Sequence, residues 1–284
     1  MESSGTKLIC GFLLVALLVA PAAGQQNDDQ KLLEEIKNLN WQTGPSVGKI
    51  AKRASLAIPP DYGFLSAADT SRFLTLMKNL PRTDSYTIAP LNLSWFAVFD
   101  FHEVGYVKDD EKIDADAVLK SLKESNARGN EERKRRGFPA LYLEGWFVSP
   151  HYDEQTKRLE WATRLRSESG ATNVNYSIRL LGRAGVMNAL LATDPDSLTE
   201  DVRVFKAALT GFSFDSGERY AEYRSGDKIA EYGLTGLIVG GAAVAAAKTG
   251  LFKVIGKFAV FIFGGLAVFV VGIFRWLSGR RSTT

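Results

Sequence analysis

The sequence predicts an α+β protein: an antiparallel β-sheet meander packed with helices, followed by a C-terminal transmembrane helical hairpin. Three stretches carry that reading. Between Ala140 and Thr193, apolar and polar side chains alternate in runs separated by turn residues, the pattern of strands with one covered face. From Asp194 to Gly211 the spacing becomes that of a helix. From residue 233 onward acidic residues vanish and two almost uncharged apolar segments follow.

At 284 residues the chain is long enough for one large domain or two small ones. Its 35 basic residues are interspersed with 32 acidic ones, so the net charge of +3 leaves no footprint for nucleic acid. The densest basic run, Arg133 to Arg136, reads as a solvated helix end or loop, with a phosphate or lipid-headgroup contact as the alternative. Residues 1–24 combine Lys7, an apolar stretch from Leu8 to Ala20 and small residues from Pro21 to Gly24. This is the layout of a secretory signal, with a mature chain starting around Gln25; an uncleaved N-terminal anchor is the alternative. The single cysteine, Cys10, lies within that signal. Removal of the signal leaves no thiol for a disulfide, a nucleophile or a metal ligand.

Residues 25–228 form the expected exported α+β domain. Leu32, Ile36 and Leu39 fall at helical spacing and predict a short opening helix. Ala54, Leu56 and Ile58 alternate into Pro59-Pro60 and predict a strand. Ser66 and Asp69 have capping-box spacing ahead of Phe73, Met77 and Leu80, with Pro81 as the stop. The aromatic and β-branched "SWFAVFDFHEVGYV" predicts a buried strand. Asp114 then caps a helix carrying Val118, Leu119 and Leu122. Past Gly129, "NEERKRRG" offers nothing apolar to bury and predicts an exposed helix tail or loop.

The meander follows. "ALYLEGWFVSP", the turn-rich "HYDEQTK", and the alternating Leu159, Trp161, Thr163 and Leu165 form a hairpin with Glu160, Arg164 and Arg166 on the wet side. Val174, Tyr176, Ile178 and Leu180 continue it, and "GRAG" turns into "VMNALLAT". Asp194 as N-cap, Pro195 at the first helical position and Gly211 at the end predict a helix whose Leu198, Val202, Phe205 and Leu209 lie across the sheet.

"GWFVSPHYDEQTKRLEWA", "NYSIRLLGRAGVMNALLAT" and "GFSFDSGERYAEYRSGDKIAEYGLTGLI", with the paired apolar segments after them, resemble the bacterial membrane proteins grouped as domain of unknown function 2167. The resemblance runs from about Asn40 into the C-terminal segment. It implies a membrane-anchored envelope protein and brings no functional residues with it. A second likeness is architectural. "ALLATDPDSLTEDVRVFKAALTGFSF" is similar to the close of small α+β domains found in a photosystem oxygen-evolving accessory protein and in a nuclear-import cofactor. It favours a sheet-and-helix sandwich and says nothing of function.

Chemistry is sparsely written. The candidate catalytic residues are His102 with Asp100, on one strand face in "DFHE", and His151 with Asp153 and Glu154, in "HYDE". Two histidines and carboxylates hold zinc or iron if a fold unites them; the same residues also read as a histidine at a strand end and another in a turn. "GPSVG" and "GRAG" lack the lysine and the strand–loop–helix context of a phosphate loop and read as turns. No cofactor is implied. Trp146, Trp161 and the tyrosines of "GERYAEYRSGD" could line a sugar or peptide groove or simply pack. Glu144 and Glu160, on adjacent strands, could form a glycosidase pair or lie on a wet sheet face.

Residues 229–284 form the expected membrane anchor, with helices at about 233–252 and 257–277. The second is apolar enough to span, with Arg275 and Trp276 at an interface. The first is weakly apolar but presents Gly236, Gly240 and Ala243 as a smooth packing face. Lys248, Lys253 and Lys257 gather at the connection, which the positive-inside preference places in the cytoplasm, whereas Arg280 and Arg281 argue for a single span. The favoured reading is a non-enzymatic domain on the exported, periplasmic side, with the lipid bilayer and a membrane or periplasmic protein as partners and no nucleic acid. The alternative is a metal-dependent or acid/base hydrolase using His102 or His151.

Overall fold

The computed structural model describes residues 23–77, 79 and 81–240. Most of the signal expected over 1–24 and most of the two expected membrane helices lie outside them. The chain opens with helix α1 (Ala23–Lys37) and runs through short strands β1 (Gln42–Thr43), β2 (Ser46–Ile50), β3 (Ala54–Ile58) and β4 (Tyr62–Leu65). Helix α2 (Ala67–Leu76), β5 (Ser85–Pro90), β6 (Phe96–His102) and the long α3 (Ala115–Arg135) follow. The predicted meander is β7 (Leu141–Asp153), β8 (Arg158–Ser167), β9 (Thr172–Leu181) and β10 (Val186–Thr193). After it come α4 (Leu198–Ala208), β11 (Phe212–Phe214) and α5 (Leu234–Val239).

The α+β reading with an antiparallel sheet is borne out, and the sheet is larger than the meander alone. Eight strands run in the order β1-β4-β5-β6-β10-β9-β8-β7, and a second sheet in the order β11-β3-β2 lies apart from it. One face of the large sheet is closed by that small sheet and α4. Leu56, Ile58, Phe99, Tyr176, Ile178, Leu191, Leu198, Phe205 and Leu209 form a single core there. The helical stripe expected on α4 is therefore where its spacing placed it. The start differs: Ser197 is the N-cap, and Asp194 and Pro195 instead form the preceding turn, in which Asp194 accepts from the Ser197 and Asp196 amides.

The other face carries two separate helical covers. α1 and α2 lie over the β4–β6 end through Ile36, Leu65, Phe73, Leu74 and Phe96. α3 and α5 lie over the β7–β8 end through Val118, Leu122, Leu159, Trp161 and Leu237. The strands between them are thus covered on both sides, and strict alternation gives way to nearly continuous burial in β9 and β10.

Ser66 starts α2 without a side-chain cap bond. Its hydroxyl meets Asp69 at 3.3 Å, and Asp69 also accepts from Asn40 at 3.1 Å. Asp114 caps α3 as expected, accepting from the Asp116 and Ala117 amides. "NEERKRRG" is the helix tail expected, with Glu131, Lys134 and Arg135 exposed, and the expectation is corrected only at Asn130 and Arg133. α3 continues to Arg135, and Asn130 turns inward to bind both the amide and the carbonyl of Leu141 at 2.9 and 2.8 Å. Arg133 is buried with it, 1% exposed, its Nε donating to the Pro139 carbonyl at 2.6 Å. Burial lowers that guanidinium to about 10. These two polar residues go inside because backbone groups at Pro139 and at Leu141, the first residue of edge strand β7, need partners.

At the other end, Tyr106 exchanges backbone hydrogen bonds with Lys228 and Ala230, and α5 enters the β7–β8 cover through Leu234, Leu237 and Ile238. α5 does not run unbroken along the first expected membrane helix, because Gly240 takes a left-handed φ of 87° and caps it. Among the described residues no helix is long and apolar enough to cross a membrane.

Candidate functional site

The alternation of β6 sends Asp100 and His102 to the helix-covered face, as the sequence spacing indicated. Across the ladders Asp100 sits beside Ser85 of β5 and Asn188 of β10. It is 8% exposed and accepts from three side chains: His102 Nε2 at 2.5 Å, Asn188 Nδ2 at 2.8 Å and Arg82 Nη1 at 3.2 Å. Burial pushes its carboxyl up, but the His102 hydrogen bond, the Arg82 charge and the Asn188 amide together outweigh that and hold it well below the usual carboxylate range. His102 itself is half-exposed. A buried carboxylate orienting a solvent-reaching imidazole is the supporting half of a general acid/base device.

His151 lies on the opposite face, across from Glu160, with Nε2 at 3.6 Å from Oε2. That oxygen also takes the Tyr176 hydroxyl at 2.5 Å and Lys206 Nζ at 2.5 Å. Burial and then the Glu160 carboxylate raise the Tyr176 phenol far above its ordinary value. Glu160, expected on a wet face, is 5% exposed, because α4 lies over this part of β8 and brings Lys206 to it. Asp153 does not join His151. It closes the β7–β8 turn, accepting from the Gln155 and Thr156 amides and the Thr156 hydroxyl at 2.9, 3.3 and 2.8 Å.

The two histidines are not brought together. Three strands, β10, β9 and β8, separate β6 from β7, so four strand spacings of about 4.8 Å put them roughly 19 Å apart. They also sit on opposite faces of the sheet. Among the described residues no group of three His, Cys, Asp or Glu side chains could hold a metal ion. Glu144 pairs with Arg166 at 2.9 Å, close to the Leu143–Leu165 ladder position, whereas Glu160 faces His151 further along; they do not form a carboxylate pair.

Most of the aromatics proposed for a groove are packing elements. Trp161 is buried, Trp146 Nε1 donates to the Ala115 carbonyl at 3.1 Å, and Tyr220 stacks on Tyr106 with centroids 4.4 Å apart while donating to the Val107 carbonyl at 2.9 Å. The open aromatic surface is elsewhere, on the α4 side of the sheet beyond that helix. Tyr142 and Phe147 of β7 are 40% and 38% exposed. Arg166 lies over the Tyr142 ring at 5.3 Å and Arg164 over Phe147 at 5.1 Å. Arg158 and Arg164 make no ion pair among the described residues. The alternation of β8 placed Arg164 and Arg166 on the wet side, where they are, but sequence reasoning missed Tyr142 and Phe147 beside them, and it missed Arg82, Asn188, Tyr176 and Lys206. Each meets its partner only through sheet pairing or helix docking, which no local spacing encodes.

The family model described as "Protein of unknown function (DUF2167)" matches residues 42–274, and the chain belongs to that family. No curated protein matches the chain. Among solved structures it is similar to the solution structure of cyanobacterial PsbP (CyanoP) from Synechocystis sp. PCC 6803. That match has 11% identity, covers 60% of this chain and 92% of that one, and has a TM-score of 0.34.

Proposed function

We propose that this domain is a non-enzymatic, partner-binding module of a membrane-anchored envelope protein. In this reading residues 1–24 direct export, the apolar segments near 233–252 and 257–277 hold the chain in the bilayer, and the α+β domain works on the periplasmic side. The observation that supports binding is the open β7–β8 face, where Tyr142 and Phe147 lie exposed under Arg166 and Arg164. Aromatic and arginine side chains dominate binding energy at protein interfaces. The excess of arginine there, with Glu144 as the acid paired to Arg166, is complementary to a membrane or periplasmic protein that presents acidic side chains.

A second reading, an acid/base hydrolase, rests on the Asp100–His102 bond. Complementation of a chromosomal deletion separates the two. Arg164→Glu with Phe147→Ala is expected to abolish complementation while the domain stays folded, and His102→Ala with His151→Ala to preserve it. Loss of complementation on removing His102, with the β7–β8 variant silent, would sink the binding reading in favour of hydrolysis.

A further inference from the structure

Arg164 and Arg166 lie two residues apart on β8, in a stretch that pairs with β9 without irregularity, Arg164 opposite Val174 and Arg166 opposite Thr172. Their side chains therefore leave one face of the sheet about 6–7 Å apart. Each guanidinium has a β7 ring against it, Phe147 at 5.1 Å for Arg164 and Tyr142 at 5.3 Å for Arg166. Contact of this kind steadies the guanidinium and leaves N–H donors for a planar oxyanion. Among the described residues Arg164 makes no ion pair, and Arg166 makes one, from Nε to Glu144 at 2.9 Å. Two guanidiniums against one carboxylate leave a net positive charge.

The face is open at this point. Both arginines are exposed. Arg164 is the ladder partner of Gly145, and a Cβ built on Gly145 would meet nothing within 4 Å. The strand thus leaves open space beside Arg164. The outer edge of β7, by contrast, is poorly suited to accept a further strand. Asn130 occupies the amide and carbonyl of Leu141, and Asn126 accepts from the Leu143 amide at 3.0 Å. Beyond them the β7 register shifts three times, between Leu143 and Gly145, Trp146 and Val148, and Val148 and His151, and a bulged edge resists ladder pairing. Recognition here falls to side chains on the face.

We propose that the partner of this face presents an extended acidic segment with carboxylates at alternate residues, one seated on Arg164 beside Gly145 and the next on the Nη groups of Arg166. The inference rests on the partner-binding reading and names the chemistry of that partner. Side chains at i and i+2 of an extended chain share a side and lie about 6–7 Å apart, which matches the interval between the two arginines. Adjacent residues point to opposite sides and do not match it. Lipid phosphates have no fixed interval, so a membrane surface would make no use of the repeat.

The test is calorimetric titration of the detergent-solubilised full chain, at constant low ionic strength, with N-acetyl-Val-Glu-Thr-Glu-Val-amide, its isomer with adjacent glutamates, and its analogue with both glutamates replaced by glutamine. The alternate peptide should bind saturably, and the other two at least ~5-fold more weakly, the scale of one well-placed exposed ion pair. Arg164→Gln should erase the difference between the two glutamate isomers. Gly145→Val, which fills open space on a strand and keeps both arginines, should weaken the alternate peptide without lowering the melting temperature. Equal binding of the two isomers with a weak glutamine analogue would overturn the proposal while leaving an acidic partner in place. Absence of saturation up to about 10 mM, or wild-type affinity in Gly145→Val, would overturn it too. Saturable binding of soluble dihexanoyl phosphatidylglycerol without peptide binding would overturn it in favour of lipid. The complementation experiment reads the partner-binding role separately from all of these.

Discussion

Phe205→Ala tests the packing that closes the α4 face of the sheet. Phe205 is fully buried on α4, edge-on to Trp95 at 5.8 Å and to Phe99 at 6.3 Å. Truncating a buried phenylalanine costs about 3–5 kcal/mol in transfer and cavity terms. Loss of two edge-to-face pairs, each about 0.5–1.5 kcal/mol, places this site in the upper half of that range, near 4 kcal/mol. With a urea m-value of about 2–3 kcal/mol/M for a domain of this size, the midpoint should fall by about 1.3–2 M at unchanged slope. Tryptophan fluorescence of the detergent-solubilised protein follows the transition, and Val202→Ala, one turn away and partly buried, should cost only about 1 kcal/mol. A Phe205→Ala loss below about 1 kcal/mol would mean that α4 does not seal the sheet, and the burial argument for Glu160 and Lys206 would fail with it.

Asp100 should impart acid sensitivity. Its carboxyl is depressed in the folded protein, so the stability it contributes is present above its unfolded value near 4 and is lost as pH falls toward the folded one. Asp100→Asn should cost about 3 kcal/mol at neutral pH, and the gap to wild type in urea titrations should narrow below about pH 4; a pH-independent gap would refute the assignment. At Gly185 a Cβ would meet the His102 carbonyl oxygen at 2.1 Å and the Phe101 ring at 2.8 Å. Gly185→Ala should therefore cost at least about 2 kcal/mol, a melting-temperature drop of about 4–8 °C; a change under about 1 °C would show that the β6–β10 ladder tolerates the shift. For the membrane reading, Ser46→Cys and Ser282→Cys should react equally with an impermeant thiol label in spheroplasts, and protection at 282 alone would establish a single span. Mass spectrometry of the mature N-terminus should find residues near Gln25, and a chain starting at Met1 would refute removal of the signal.

Signals that act over one turn or one strand were legible. The 3.6-residue stripe of Leu198, Phe205 and Leu209, the Asp114 cap, and the alternation along β7 each report a local backbone preference plus a covered face, and each reappears in the fold. The Asp100–His102 pair was legible for the same reason, since residues two apart on a strand share a face. Element starts were less secure. At α4 both Asp194 and Ser197 are good capping residues, and the turn around Pro195 decided between them.

By itself, then, the sequence determined the class of fold, the meander, the helix that closes it and the contrast between an α+β domain and an apolar C-terminal region. Only the tertiary structure decided which polar residues go inside and which histidines meet. Asn130 and Arg133 turn inward to meet the backbone of Leu141, the first residue of edge strand β7, and of Pro139 just before it, and Glu160 is buried because α4 docks over it with Lys206. His102 and His151 end up on opposite faces because strand order, set by pairings such as β10 with β6 between residues more than eighty positions apart, is a long-range property. Periodicity reports whether a side chain faces a cover. It carries no information on which cover arrives, and so none on the company a buried charge will keep.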